Sequence, residues 1–364
     1  MSLFIFKKPL ICYDSLMHIN NMKAITIILS FIGLALAFYI LYIGKSIFIP
    51  LVIAIIIWYI IIALASGYEN IKLGKYHIPH FAAMILSLAT FALTAWIFIG
   101  FLNNSVNEVI AVAPKYQAKF QIFINDINSK FNLTEIISYD GIFDYINISN
   151  LAAEVAGIIT TIAGFTTMIV IYVIFLFLEY RTFDYKIKEL FPNAKNRQST
   201  EELIKKIIKD INTYLKIKTL ISIATALCCY LVLMIMGIQF AGFWAVLVLI
   251  LNYIPNIGSL FAVLLPALFT IMQHDLTHAL LLIVLLTFIQ MTLGNFIEPR
   301  LMGKSLNLSP LVIITSLVLW GSIWGIVGMF LCVPIMVILN IILGKFDSTR
   351  PIAILLSSKG ELDA

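Results

Sequence analysis

The sequence predicts an all-α polytopic membrane protein. About eight hydrophobic segments are expected, two of them broken or re-entrant, with amphipathic helical insertions between them. Three observations carry this. Hydrophobic residues make up 61% of the 364 residues, charged residues 12%, and mean hydropathy is +1.02; a soluble domain carries about 25% charged residues and cannot absorb such an apolar excess. The apolar residues gather into runs near the ~20 residues a helix needs to cross a bilayer. The polar stretches between runs differ in charge from one another, which gives them sides.

The first run, 24–43, follows Lys7, Lys8 and Lys23 and has no small-residue cleavage site after it. It reads as an uncleaved first span. Met17 and Met22 are alternative starts. Gly44-Lys45-Ser46 leads into a second run, 47–66, and the polar stretch 67–79 holds Lys72 and Lys75. The third run is 80–102.

Residues 103–154 then hold three lysines against six acids. Val106, Val109, Ile110, Phe120, Phe123, Ile124, Ile127 and Phe131 recur at roughly helical spacing. They form an apolar stripe on a water-exposed helical insertion. The fourth run is 155–179, and 180–218 is the most basic stretch, with ten Lys or Arg. An amphipathic helix is expected over Glu201–Tyr214, N-capped by Ser199 or Thr200. Lys216 and Lys218 read as anchors that snorkel at the inner end of the fifth run, 219–237.

The pattern then becomes irregular. Run 240–272 is interrupted at Asn252–Ser259, run 279–296 has an ordinary length, and run 309–343 is broken by Gly321, Gly325, Gly328 and Pro334. A straight helix of such length would be about 50 Å long, against a hydrocarbon core of about 30 Å. Single crossings would also leave Arg300 and Lys304 outside. Two hairpins that fold back place them inside with the other basic loops, which the positive-inside rule favours. Both schemes keep both termini cytoplasmic. The chain thus divides into spans one to three (1–102), an extracytoplasmic insertion (103–154), span four with a basic cytoplasmic loop (155–218), a C-terminal core (219–345) and a cytoplasmic tail (346–364).

Several functions are disfavoured. The net charge of +5 is modest and the basic residues do not interleave with aromatics, so no nucleic-acid partner is expected. No hydrolase, zinc-protease, C-x-x-C or complete P-loop motif occurs. The chain is expected to be no enzyme, with no catalytic residue, cofactor or metal. Cys12, Cys228, Cys229 and Cys332 show no disulfide or zinc spacing. His274, Asp275 and His278 read as solvated loop residues, and Trp320 and Trp324 as packing or interfacial aromatics.

Polar groups inside apolar sequence are costly and often functional. Asn252, Asn256 and Ser259 flank Pro255 and Gly258. Proline removes a donor and glycine permits unusual dihedrals. The helix can unwind there to expose a polar site, or turn tightly with each Asn capping its own backbone. Thr287, Gln290, Gly294 and Glu298 share one helix face, beside Asn295. Pro299 is expected to end that helix, with Glu298 carrying a proton or cation, or pairing with Arg300.

The stretches NYIPNIGS (252–259), GNFIEPRLMG (294–303) and LNLSPLVIITSLVLWGSIWGIVGMFLCVPIMV (306–337) resemble the autoinducer-2 exporter (AI-2E) family of PerM-like permeases. One departure is Lys216-Ile217-Lys218, where many members carry glycine. The resemblance implies a bacterial inner-membrane transporter whose transport core is 219–345, a homo-oligomer with a pentamer as one expected form. It implies export of a small polar solute, autoinducer-2 or a related metabolite. It maps functional positions onto Asn252, Pro255, Asn256, Gly258, Glu298, Pro299 and Arg300. Structural hinges map onto Gly303, Pro310, Gly325, Gly328 and Pro334. Sodium/proton antiport through Glu298 is the alternative, and a non-transporting scaffold that docks partners through 103–150 and 180–218 is the third reading.

Overall fold

The computed structural model describes residues 25, 28–73, 76–131, 148–303 and 307–360. The expectations for Lys7, Lys8, Cys12, Met17, Met22, Lys23, Lys75 and Lys304 lie outside the described residues. The protein is an all-helical polytopic membrane protein. Among the described residues, five helices are long and apolar enough to cross a membrane, and four shorter apolar helices accompany them.

Helix α1 (Ile28–Ile43) leads into α2 (Lys45–Glu69). A small antiparallel ribbon follows, β1 (Lys72–Leu73) with β2 (Tyr76–His77), in the stretch read as a polar loop. Helix α3 (His80–Phe131) is 52 residues long. The third span and the start of the insertion are therefore one continuous helix. The stripe residues Val106 and Val109 are buried, together with Tyr116, against Cys229, Leu233, Trp244, Phe269 and Leu286 of later helices. Ile110 on the same stripe is exposed. Val106 and Val109 thus pack on protein, because an apolar face leaving the membrane must find a partner or water; the side chains of Phe120, Phe123, Ile124, Ile127 and Phe131 lie outside the described residues.

Helix α4 (Ile148–Leu190) packs on α2 through Ala54, Ile61, Ile169 and Val173. Ala54 is fully buried there, and small residues let membrane helices approach closely. Helix α5 (Ala194–Ile235) fuses the expected amphipathic helix with the fifth span. Its N-cap is Asn193, which accepts from the Lys195 N–H at 3.0 Å, and not Ser199 or Thr200. The correction has a simple cause. The first-turn donors need an acceptor where the chain leaves Phe191-Pro192, upstream of both hydroxyl residues.

Run 240–272 folds back as α6 (Ala241–Leu251) and α7 (Ile257–Gln273). At the open end the Phe240 and Phe269 rings lie 5.7 Å apart. At the tip, a Cβ on Gly258 would sit 1.7 Å from the Leu251 carbonyl oxygen. Helix α8 (Leu276–Gln290) continues through a π-helical stretch, Met291–Ile297, into α9 (Glu298–Met302). Asp275 caps α8, accepting from the His278 N–H at 2.8 Å, a bond that holds its carboxyl below the usual value. Its Oδ1 also contacts His278 Nδ1, and the His274 and His278 rings stack.

Helix α10 (Pro310–Lys345) is a second hairpin, reversed at Gly325 with φ 63° and ψ −141°. A Cβ on Gly328 would lie 1.9 Å from the Trp320 carbonyl oxygen. At its open end Asn340 Nδ2 donates to the Asn307 carbonyl at 3.4 Å. The two long runs are therefore both fold-backs. Trp320 and Trp324 are buried with rings 5.3 Å apart, and Trp324 Nε1 donates to the Leu41 carbonyl. Helix α11 (Arg350–Leu356) closes the hairpin base, where the Ser309 N–H donates to the Leu356 carbonyl at 2.9 Å.

Candidate functional site

Two irregular elements and the middle of helix α5 meet around one cavity. The first is the α6–α7 tip. The Ile257 N–H donates to the Pro255 carbonyl at 2.6 Å across Asn256, whose φ is 58° and ψ −53°. This is a γ-turn of the positive-φ form, which is rare and strained. Asn tolerates positive φ better than most side chains. Pro255 supplies no N–H, so the turn begins without breaking a helical bond. Asn252 is buried and donates through Nδ2 to Ser222 Oγ at 3.1 Å. Ser259 Oγ donates to the Asn256 carbonyl at 2.8 Å. Of the two Asn side chains, neither caps its own turn by the bonds described; Asn252 reaches across to α5.

The second element is the π-helical stretch. The Glu298 N–H bonds to the Leu293 carbonyl, five residues back. The expectation that Pro299 ends the helix is corrected here: the chain stays helical to Met302 and stops at Gly303, φ 54°. A proline in an α-helix clashes with the carbonyl four residues back. The wider π turn moves the Asn295 carbonyl out of the way. It also brings residues 291 and 295 to the same wall as 287, 290, 294 and 298. Local π-helix is over-represented at functional sites.

The third element is the middle of α5. Lys218 Nζ donates to Glu298 Oε1 at 2.6 Å, and the two side chains are only 8% and 13% exposed. This corrects two expectations. Lys218 does not snorkel, and Glu298 pairs with Lys218, not with Arg300. On one helix Glu298 and Arg300 are two apart and point to different faces. Arg300 instead lies over the Phe296 ring, 3.7 Å from its centroid. Lys216 is exposed.

The cavity between these elements has a volume of about 540 Å³, within the ordinary range for a small-molecule site. It is lined by Asn252, Pro255, Asn256, Ser259, Gln290, Asn295 and Glu298 of the positions read from sequence. Tyr214, Lys218, Thr287, Met291 and Gly294 line it as well. Gly258 sits behind the wall as the close-packed residue of the tip. Pro299 and Arg300 do not line it. Gly303 ends α9, Pro310 opens α10, Gly325 reverses it, and Gly328 and Pro334 are buried within it.

Two polar groups on this wall are unsatisfied. Gln290 is 6% exposed, yet neither Nε2 nor Oε1 has a partner among the described residues. The buried Tyr214 hydroxyl has none either. A buried polar group without a partner costs about 1–3 kcal/mol, so such groups mark places where a ligand or water is needed. Lys218 and Tyr214 were not singled out from sequence as site residues. They are four apart on one face of α5, and a lysine inside the start of an apolar run was the available signal.

With this geometry in view, relatives supply the family. Residues 28–347 match the family described as AI-2E family transporter. The chain belongs to that family. The AI-2 transport protein TqsA of Escherichia coli (strain K12) is 27% identical, over 96% of this chain and 98% of its own length. A candidate transport protein of Haemophilus influenzae is 30% identical, covering 77% of this chain and 82% of its own. A further candidate, YhhT of Escherichia coli (strain K12), is 28% identical over 76% and 79%. The AI-2E membership makes the chain a multi-pass membrane transporter of a bacterial family, and not an enzyme. The cavity lies within the matched region, between the α6–α7 tip, the π-helical stretch and α5.

Proposed function

We propose that this AI-2E family member exports a small polar solute, of autoinducer-2-like or related kind, and that the cavity at the α6–α7 tip is its binding site. The carrying observation is the convergence of a strained γ-turn, a π-helical wall and a buried ion pair on one small-molecule-sized space. Irregular backbone at membrane depth is tolerated where it lines a cavity, and broken helices are the usual solute site of transporters. Pro255, Asn252, Asn256, Ser259, Gln290, Asn295 and Glu298 serve there directly. Gly258 and the hinge residues of α9 and α10 act by holding the tips in shape, and Pro299 and Arg300 follow Glu298 outside the lining. The similarity to TqsA supports the kind of solute.

The test is efflux from proteoliposomes loaded with a panel of small polar metabolites. Asn256→Ala and Glu298→Gln are expected to abolish efflux of uncharged solutes while the protein still inserts. Wild-type rates in both variants would end the proposal. A buried carboxylate on the wall is what favours cation/proton antiport as a second reading. That reading predicts ion-dependent pH changes in inverted vesicles that vanish with Glu298→Gln.

The same proposal sets the chain in the bacterial inner membrane with both termini cytoplasmic. The contact of Glu298 with Lys218 supports this, since Lys218 closes the most basic stretch of the chain. A homo-oligomer, a pentamer among its forms, completes the picture. Chromatography in detergent with light scattering is expected to give a multiple of the 40.9 kDa chain mass.

A further inference from the structure

We infer that Lys218 and Glu298 set the charge selectivity of the cavity, cancelling each other so that an uncharged solute is admitted and bound by the amide of Gln290. This rests on the solute-binding reading above and deepens it.

Among the residues that line the cavity, Lys218 and Glu298 are the charged ones, and they meet at 2.6 Å. Their formal charges sum to zero. A solute with net charge would leave water for a wall with no net countercharge. Burying an uncompensated ion costs several kcal/mol, so the wall rejects either sign. Loss of one partner leaves the other buried and unpaired, which creates a site for the opposite sign.

Gln290 gives an independent reason to expect an uncharged polar ligand. Its side chain is more than nine-tenths buried, and it offers one unmet acceptor and an unmet donor group side by side. An amide of this kind is satisfied by a hydroxyl or carbonyl group that both gives and receives. The Tyr214 hydroxyl, also unmet and also on the wall, adds a second such contact. A site built to hydrogen-bond its ligand rejects analogues that leave these groups unpaired.

The test uses proteoliposomes at pH 8 and three probes of similar size: radiolabelled ribose, ribonate and 1-amino-1-deoxyribitol. The wild type is expected to carry ribose about tenfold faster than either charged probe. Glu298→Gln should move the preference to ribonate, Lys218→Gln to the amine, and the double variant should return it to ribose. Gln290→Glu adds a carboxylate without touching the pair and should favour the amine. It keeps the test decisive if the single charge removals do not fold.

The inference is overturned if the wild type carries a charged probe as fast as ribose, or if Gln290→Glu leaves the preference unchanged. Folded single-charge variants with the wild-type preference would overturn it equally. Flux of all three probes no greater than in empty liposomes would instead sink the solute-binding reading beneath it. Flux without charge preference would sink the inference alone.

Discussion

At the scale of single residues, the buried Lys218–Glu298 pair dominates. Removing one partner of such a pair leaves a buried, unpaired charge, at a cost of about 3–5 kcal/mol. Lys218→Gln and Glu298→Gln are each expected to lower the thermal midpoint in detergent, and the double variant to recover most of the loss. Simple additivity of the two losses would show that the side chains are not coupled. Asn256 is the other telling residue, because its positive φ is a property of the backbone. Asn256→Gly removes the steric cost and should melt no lower than the wild type. A β-branched Asn256→Val should melt lower, by about 1–3 kcal/mol.

At the scale of elements, each hairpin depends on one glycine that meets a carbonyl. At Gly258 and Gly328 a methyl group would overlap a backbone oxygen at 1.7 and 1.9 Å, respectively. Backbone cannot rotate aside as a side chain can. Gly258→Ala and Gly328→Ala are therefore expected to destabilise by about 1–3 kcal/mol or more, seen as reduced yield and a lower melting temperature. Gly294→Ala serves as the contrast, since only Gln290 Oε1 comes as near as 4.0 Å. It should melt as the wild type does. Helix α8 tests the caps. The Asp275 carboxyl titrates lower in the folded chain than its ordinary 3.8, mainly through the His278 N–H. Its stabilising effect is therefore present above that value and lost as pH falls through the folded one. Melting curves taken from neutral pH down to about pH 3 should show an acid loss that Asp275→Asn lessens.

At the scale of the whole molecule, the question is which side of the membrane the α9 end faces. Both long runs fold back, so the proposed topology adds no crossing between 240 and 272 or between 310 and 345. The proposed orientation then sets Arg300 on the side of the basic stretch 180–218. A single cysteine at Arg300 in a cysteine-free background should resist membrane-impermeant maleimide in right-side-out vesicles and react in inverted ones. Labelling from outside would refute the proposed orientation.

The membrane class, the order of the spans and the two broken runs were legible in the sequence, because they depend on apolar run length and on prolines and glycines, which act locally. The polar residues of the α6–α7 tip and the 287–298 face were legible for the same reason: unwound backbone and intramembrane polarity are written in a few adjacent residues. The continuity of α3 was not, since a span and a helical insertion read the same in sequence whether or not a break parts them. Nor was the partner of Glu298. Sequence distance favoured Arg300, two residues away, over Lys218, 80 residues away. Only the packing of α5 on α9 decides between them, because an ion pair is chosen by where side chains meet and not by where they are written. Lys218 therefore moved from a presumed surface anchor to the centre of the site, and the cavity's zero net charge is a property of the tertiary structure alone.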